Sequence, residues 1–363
     1  MTSISKYLNS RIELTSFKNF VLENKIISIL LIIIFFKYCK KALFTWYFFG
    51  LDFKQGSFSL LLTTLGPLDT LSQFINSHAL IGIVFSLAYI FLYKKISWKI
   101  SINNKKLKIF ILVLVIFLTW KYAIYEYNYY FDTFHLFDRL ILIFIAALVF
   151  FSPVFIPIFL VFVTVMSSQL NFPLGGYSLT DERPFWDILI LVSIFCFFKI
   201  FFKDLKSKHL MFMIIVFHAS NYFYPGLTKI TISPNFYEWI VHHNLHNYFF
   251  SAHYRGWLHF LSKDQILLIA NLFSHFNILG NLLSTIIQLS AILIFLNKRY
   301  LILLLILFEF LHIAILLLTG INFYKWIIFN IALIWLVKDL DFETEIFLYK
   351  NKIIKIFSIL LIL

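Results

Sequence analysis

A single lysine and a run of histidines stand out in a chain otherwise made largely of Ile, Leu and Phe. Lys229 follows Pro225-Gly226 at the end of an apolar stretch, and the segment just after it holds five of the eleven histidines: His242, His243, His246, His253 and His259. A lysine enclosed by apolar groups loses part of the hydration of its ammonium, which leaves neutral amine to act as a general base. At a membrane surface the same lysine snorkels to headgroups and does no chemistry. On a helix, His242 and His246 share a face and His243 lies one turn from His246, a spacing that can chelate a metal or pass protons. On an interfacial helix those histidines face headgroups instead, with Trp239, Tyr248 and Trp257 as anchors. Arg255 joins them as a candidate contact for a substrate or cofactor. Glu309 and His312 sit one turn apart inside an apolar run, where they either share a hydrogen bond between helices or line a cavity.

The elements that must position these groups are membrane helices. With 61% hydrophobic and only 13% charged residues, the chain cannot dress a soluble surface of its size. Long apolar runs recur, so the expected fold is an all-α, multi-pass transmembrane bundle of about eight to ten membrane segments with interfacial helices. The net charge of +13 is carried by lysines in short blocks between apolar runs. That is the pattern of cytoplasmic loops and excludes a nucleic-acid partner. Cys39 and Cys196 lie in or beside apolar runs and give neither a disulfide framework nor metal spacing. No cleavable signal peptide is evident.

Residues 1–25 read as a cytoplasmic interfacial segment, 26–337 as the transmembrane domain and 338–363 as a cytoplasmic or interfacial tail. Spans are expected at 26–49, 78–93, 109–125, 187–202, 209–225, 265–297 (broken near Asn277 to Asn281), 301–319 and 326–337. The run 140–166 is expected to turn back near Pro153 and Pro157 as two legs, which keeps the lysines from Lys199 to Lys208 on the inner side. Lys229 and the histidines then fall at the non-cytoplasmic face. The expected location is a bacterial inner membrane, with the N-terminus cytoplasmic and the lipid bilayer as the principal partner.

NYFYPGLTKI with the later Trp239 resembles the YF-x-x-G-x-x-K-hydrophobic…W signature of the membrane domain of vitamin K-dependent gamma-carboxylase. The wider family is that of horizontally transferred transmembrane (HTTM) proteins. FEFLHIAILLLTGINFYKW resembles the family's late helix, in which a histidine precedes a glycine and an aromatic turn. The likeness runs from the first helix to Val337. It implies that Lys229 deprotonates a reduced quinone, that His312 lines the cavity, and that Tyr222, Gly226 and Trp239 support the lysine. The large lumenal domain with which the carboxylase grips its protein substrate has no counterpart here, which puts glutamate carboxylation in doubt. A lipid-quinol-dependent enzyme is therefore one expectation. A non-catalytic maturation, assembly or export factor with a membrane or peptide partner is another. A histidine-metal oxygenase and a transporter are further alternatives.

Overall fold

The computed structural model describes residues 77–125, 136–170, 179–202, 204–254, 256–295, 297–321 and 323–338, with short helical pieces between 29 and 39. The proposed interfacial segment 1–25, most of the first span, Arg255 and the tail beyond Lys338 lie outside the described residues. Every regular element among the described residues is helical. Among the described residues, four helices are long and apolar enough to cross a membrane: Pro184–Phe201, Ser207–Thr231, Asn277–Ile294 and Lys298–Thr319. The chain is an integral membrane protein in contact with lipid. It divides into two units, Met1–Met211 and Phe212–Leu363.

The first unit contains α1 (Ser77–Phe91), α2 (Trp98–Ser101), α3 (Lys105–Trp120), α4 (Leu136–Phe151), α5 (Ile156–Leu170) and α6 (Leu179–Phe201). The short α2 starts at Ser97, whose side chain accepts from the Ile100 amide. Asn104 caps α3 in the same way through the Leu107 amide. The break expected near Pro153 is present. Ser152 is extended and caps a single 3-10 turn, Pro153–Phe155, that separates α4 from α5, and the two helices pack on each other. The chemistry of the break is legible. Pro153 has no N–H to give the carbonyl of Val149, and that carbonyl instead accepts the indole N–H of Trp98 at 2.8 Å. Ser152 Oγ donates to the Ile96 carbonyl at 3.0 Å and ties the same loop to the turn.

The second unit holds most of α7 (Ser207–Thr231), then α8 (Glu238–His242), α9 (Asn247–Tyr254), α10 (Lys263–Ser274), α11 (Asn277–Leu289), α12 (Lys298–Thr319) and α13 (Tyr324–Lys338). A 3-10 stretch, Ser290–Phe295, extends α11. Ser262 and Gln265 form a reciprocal capping box at the start of α10. Asn297 caps α12, and Gly320, at φ 70°, ends it in the left-handed region. The 265–297 run breaks at His275-Phe276, slightly earlier than expected, where His275 Nδ1 donates to the Asn271 carbonyl.

One expectation is overturned. Pro225-Gly226 does not end the apolar helix: α7 runs through both residues to Thr231. The proline leaves the Asn221 carbonyl without its helical donor, a loss that a helix near its C-terminal end can absorb. Downstream, Thr228 and Thr231 donate their hydroxyls to the Tyr224 and Leu227 carbonyls at 2.9 Å each and reinforce the last turns. Gly226 has a packing role instead. A Cβ there would lie 2.8 Å from Gln288 Cβ and 3.0 Å from the Leu289 amide nitrogen. The glycine thus lets α7 and α11 touch backbone to backbone, as small residues do in membrane bundles.

Candidate functional site

Because α7 continues past Gly226, Tyr222, Gly226 and Lys229 share one helix face at spacings of four and three residues. Two polar centres form on that face. They are separated by the seven residues from Tyr222 to Lys229, about 10 Å along the axis at about 1.5 Å per residue.

The first centre surrounds Lys229 in the last turn of α7. Its Nζ donates to Ser284 Oγ of α11 at 2.8 Å and lies 4.2 Å from the centre of the Trp239 ring. Ser284 Oγ gives its own proton to the Asn281 carbonyl at 3.0 Å, so its lone pairs face the amine. Lys229 is half-buried and held by a hydroxyl and an indole face rather than by a carboxylate. The nearby acid, Glu238, instead accepts from Asn235 Nδ2 at 2.7 Å. The ring of His243 stacks on Trp239, with centroids 4.5 Å apart and planes 17° apart, and its Nε2 meets the Tyr248 hydroxyl at 3.2 Å. Burial, and secondly the positive charge of Lys229, hold the His243 imidazole below its usual protonation range.

Asn281 of α11 builds this arrangement. It is fully buried, and its Nδ2 donates to the Ile240 carbonyl at 2.9 Å and to the His243 carbonyl at 2.7 Å. By taking up carbonyls at the C-terminal end of α8, it stops that helix and sets Trp239 and His243 against Lys229.

This termination overturns the expected histidine face. α8 ends at His242 and His243 is extended, so His242 and His246 do not share a helix. His242 is exposed. His246 is clasped by Asn277, whose Oδ1 accepts the His246 amide at 3.2 Å and whose Nδ2 meets the ring Nδ1 at 2.7 Å. His253 and His259 use Nδ1 on the carbonyls of Leu258 and Gly256 and fold the turn after α9. Among the described residues, no three His, Cys, Asp or Glu side chains converge as a metal site would require.

The second centre surrounds Tyr222. Its hydroxyl is 2.8 Å from His312 Nε2 of α12 and accepts Asn330 Nδ2 of α13 at 3.0 Å. Asn330 Oδ1 is bonded to His218 Nε2, one turn before Tyr222. Asn330 Oδ1 can only accept, so His218 carries its proton on Nε2, whereas between Tyr222 and His312 either partner can donate. Phe308 stacks on the Tyr222 ring at 3.7 Å. Glu309 lies against Asn330 and Tyr222. The buried carboxyl of Glu309 faces the Asn330 side chain, and His312 Nδ1, His218 Nδ1 and Trp326 Nε1 are buried without a hydrogen-bond partner. Each such atom costs about 1–3 kcal/mol, so the cluster is not a device for stability.

The structure therefore brings Lys229, Trp239 and His243 together, and Tyr222, Glu309 and His312 together, with Gly226 between the two groups. His242 and His246 stand apart from both. Sequence reasoning missed Ser284, Asn281, Asn330, Trp326 and the role of His218. A signal existed for His218, four residues before Tyr222 on one apolar helix, and for Asn330, a lone amide in an apolar run. Ser284 and Asn281 gave none, because α11 meets Lys229 only through tertiary contact. No protein-family model matches this chain, and no curated protein or solved structure matches it either.

Proposed function

We propose that this integral membrane protein is a lipid-quinol-dependent enzyme of the HTTM, gamma-carboxylase-like type, with Lys229 as its general base. The carrying observation is that the half-buried Lys229 amine rests on Ser284 Oγ and the Trp239 ring. The donor set fits a reduced quinone, with an amine to receive a phenolic proton, hydroxyls to orient it and an indole as a flat apolar wall. Such a group, when bound, supplies the electrons for oxygen chemistry. Ser284 orients the amine, Trp239 and His243 wall it from water, and Asn281 fixes both through α8. In this reading Lys229 faces the non-cytoplasmic side of a bacterial inner membrane.

The test is oxygen uptake by the purified full chain in lipid nanodiscs supplied with menaquinol or ubiquinol. Loss of uptake in Lys229→Ala and Lys229→Met is the expected result, and an unchanged rate in both overturns the reading.

A second reading, a non-catalytic maturation or assembly factor, draws on a different observation. Ile232, Phe236, Tyr254 and Phe260 are 66%, 69%, 93% and 71% exposed around α8 and α9, an apolar surface that suits a membrane or peptide partner. Under it, Lys229→Ala leaves the cellular phenotype intact.

A further inference from the structure

The lysine-rich connection from α1 to α3 in the first unit is a fixed platform. Residues 92–108 hold six lysines, Lys94, Lys95, Lys99, Lys105, Lys106 and Lys108, and no acid. A block of like charges ordinarily stays extended and solvated. This one is pinned along its length. The Ile96 carbonyl accepts Ser152 Oγ at 3.0 Å, and the Trp98 indole donates to the Val149 carbonyl at 2.8 Å. The Ser101 carbonyl accepts Lys199 Nζ of α6 at 3.1 Å, and the Asn103 amide donates to Ser207 Oγ of α7 at 3.0 Å. Ile96, Trp98, Ser101 and Ile102 are buried, whereas Lys94, Lys95, Lys99 and Lys105 are exposed. The contact with Ser207 also brings the exposed Lys206 to this end of the unit, and Asp204 is one acid against the surplus.

Cations held together repel one another, and an anion seated among them removes that repulsion. Folding has already ordered the backbone that carries them, so a ligand does not bear the entropy of arranging it. The side chains between the lysines select what carries the anion. Phe91, Tyr93, Ile100 and Ile109 are 93%, 54%, 56% and 41% exposed. A soluble anion gains nothing from such residues. A molecule with a charged head and a hydrocarbon tail uses both, the head on the ammonium groups and the tail along the apolar side chains.

We infer that the connection from α1 to α3 is a headgroup site for an anionic phospholipid. Lys95 and Lys99 are its principal cations, because each adjoins a pinned residue, Ile96 and Trp98. The site lies within the first unit and is independent of the reading given to Lys229.

The test is native mass spectrometry of the full chain in neutral detergent, offered phosphatidylglycerol and phosphatidylcholine with the same acyl chains. The first bound lipid should be phosphatidylglycerol by at least about tenfold. Lys95→Gln with Lys99→Gln should bring that preference close to parity. Lys263→Gln with Lys338→Gln, which removes the same charge from exposed lysines of the second unit, should leave it intact. Soluble glycerol 1-phosphate should not displace the lipid. Four results overturn the inference: equal binding of the two lipids, an unchanged preference in the Lys95 and Lys99 pair, an equal loss in the control pair, or displacement by glycerol 1-phosphate. Lys99→Gln alone, with an expected loss of about fivefold, carries the decision if the double variant fails to fold.

Discussion

Gly226→Ala tests the close approach that sets Lys229 against its partners. The new methyl would stand 2.8 Å from Gln288 Cβ and 3.0 Å from the Leu289 amide nitrogen. Both are fixed to the α11 backbone, so the helices themselves must separate, at an overpacking cost of about 1–3 kcal/mol. Replacing a helical glycine by alanine also gains up to about 1 kcal/mol of propensity, which clouds a single measurement. Gly280→Ala in α11 provides the reference. There the added methyl meets only Leu245 Cδ1, at 2.7 Å, the tip of a side chain that can rotate away. The propensity gain is common to both, so the difference isolates the rigid clash. Gly226→Ala should be less stable than Gly280→Ala by about 1–3 kcal/mol in reversible detergent unfolding of the two purified variants. Equal stability, or a more stable Gly226→Ala, refutes the claim that α7 and α11 meet backbone to backbone at this point.

Two further outcomes follow from the same geometry. The His243 imidazole titrates below its ordinary value of 6.5. Its contribution to stability is therefore complete above that pH and declines as pH falls towards the folded-state value. Because His243 stacks on Trp239, tryptophan emission of the full chain should carry this titration, through quenching by the charged imidazole, and Trp239→Phe should remove it. Lys229→Met removes one cause of the depression and should move the midpoint upward; an unmoved midpoint separates the two groups. Trp98→Phe in the first unit leaves the Val149 carbonyl without the donor that replaces the missing Pro153 N–H. A stability loss of about 1–3 kcal/mol in detergent unfolding is expected, and a neutral effect would show that this carbonyl is satisfied otherwise.

The sequence alone determined that the chain is a helical membrane protein, because composition and the length of apolar runs leave no other way to satisfy backbone groups in lipid. It also placed a turn near Pro153 and Pro157, since proline's missing N–H acts locally, and the structure puts the break at Ser152-Pro153. It singled out Lys229, Glu309 and His312, because polar groups in apolar runs are conspicuous wherever they point, while Tyr222 entered only through the family resemblance. It misread Pro225-Gly226 as a stop, because a proline near the C-terminal end of a helix removes one hydrogen bond without forcing the helix to end there. It also misread the histidines as one face, because α8 is ended by Asn281, a residue of another helix. Only the tertiary structure decided that Lys229 rests on Ser284 and Trp239, and that Tyr222 is joined to His312, Asn330 and His218. Side-chain partnership across helices is set by which faces meet, and an apolar periodicity of about 3.6 residues marks a face without naming what lies opposite it.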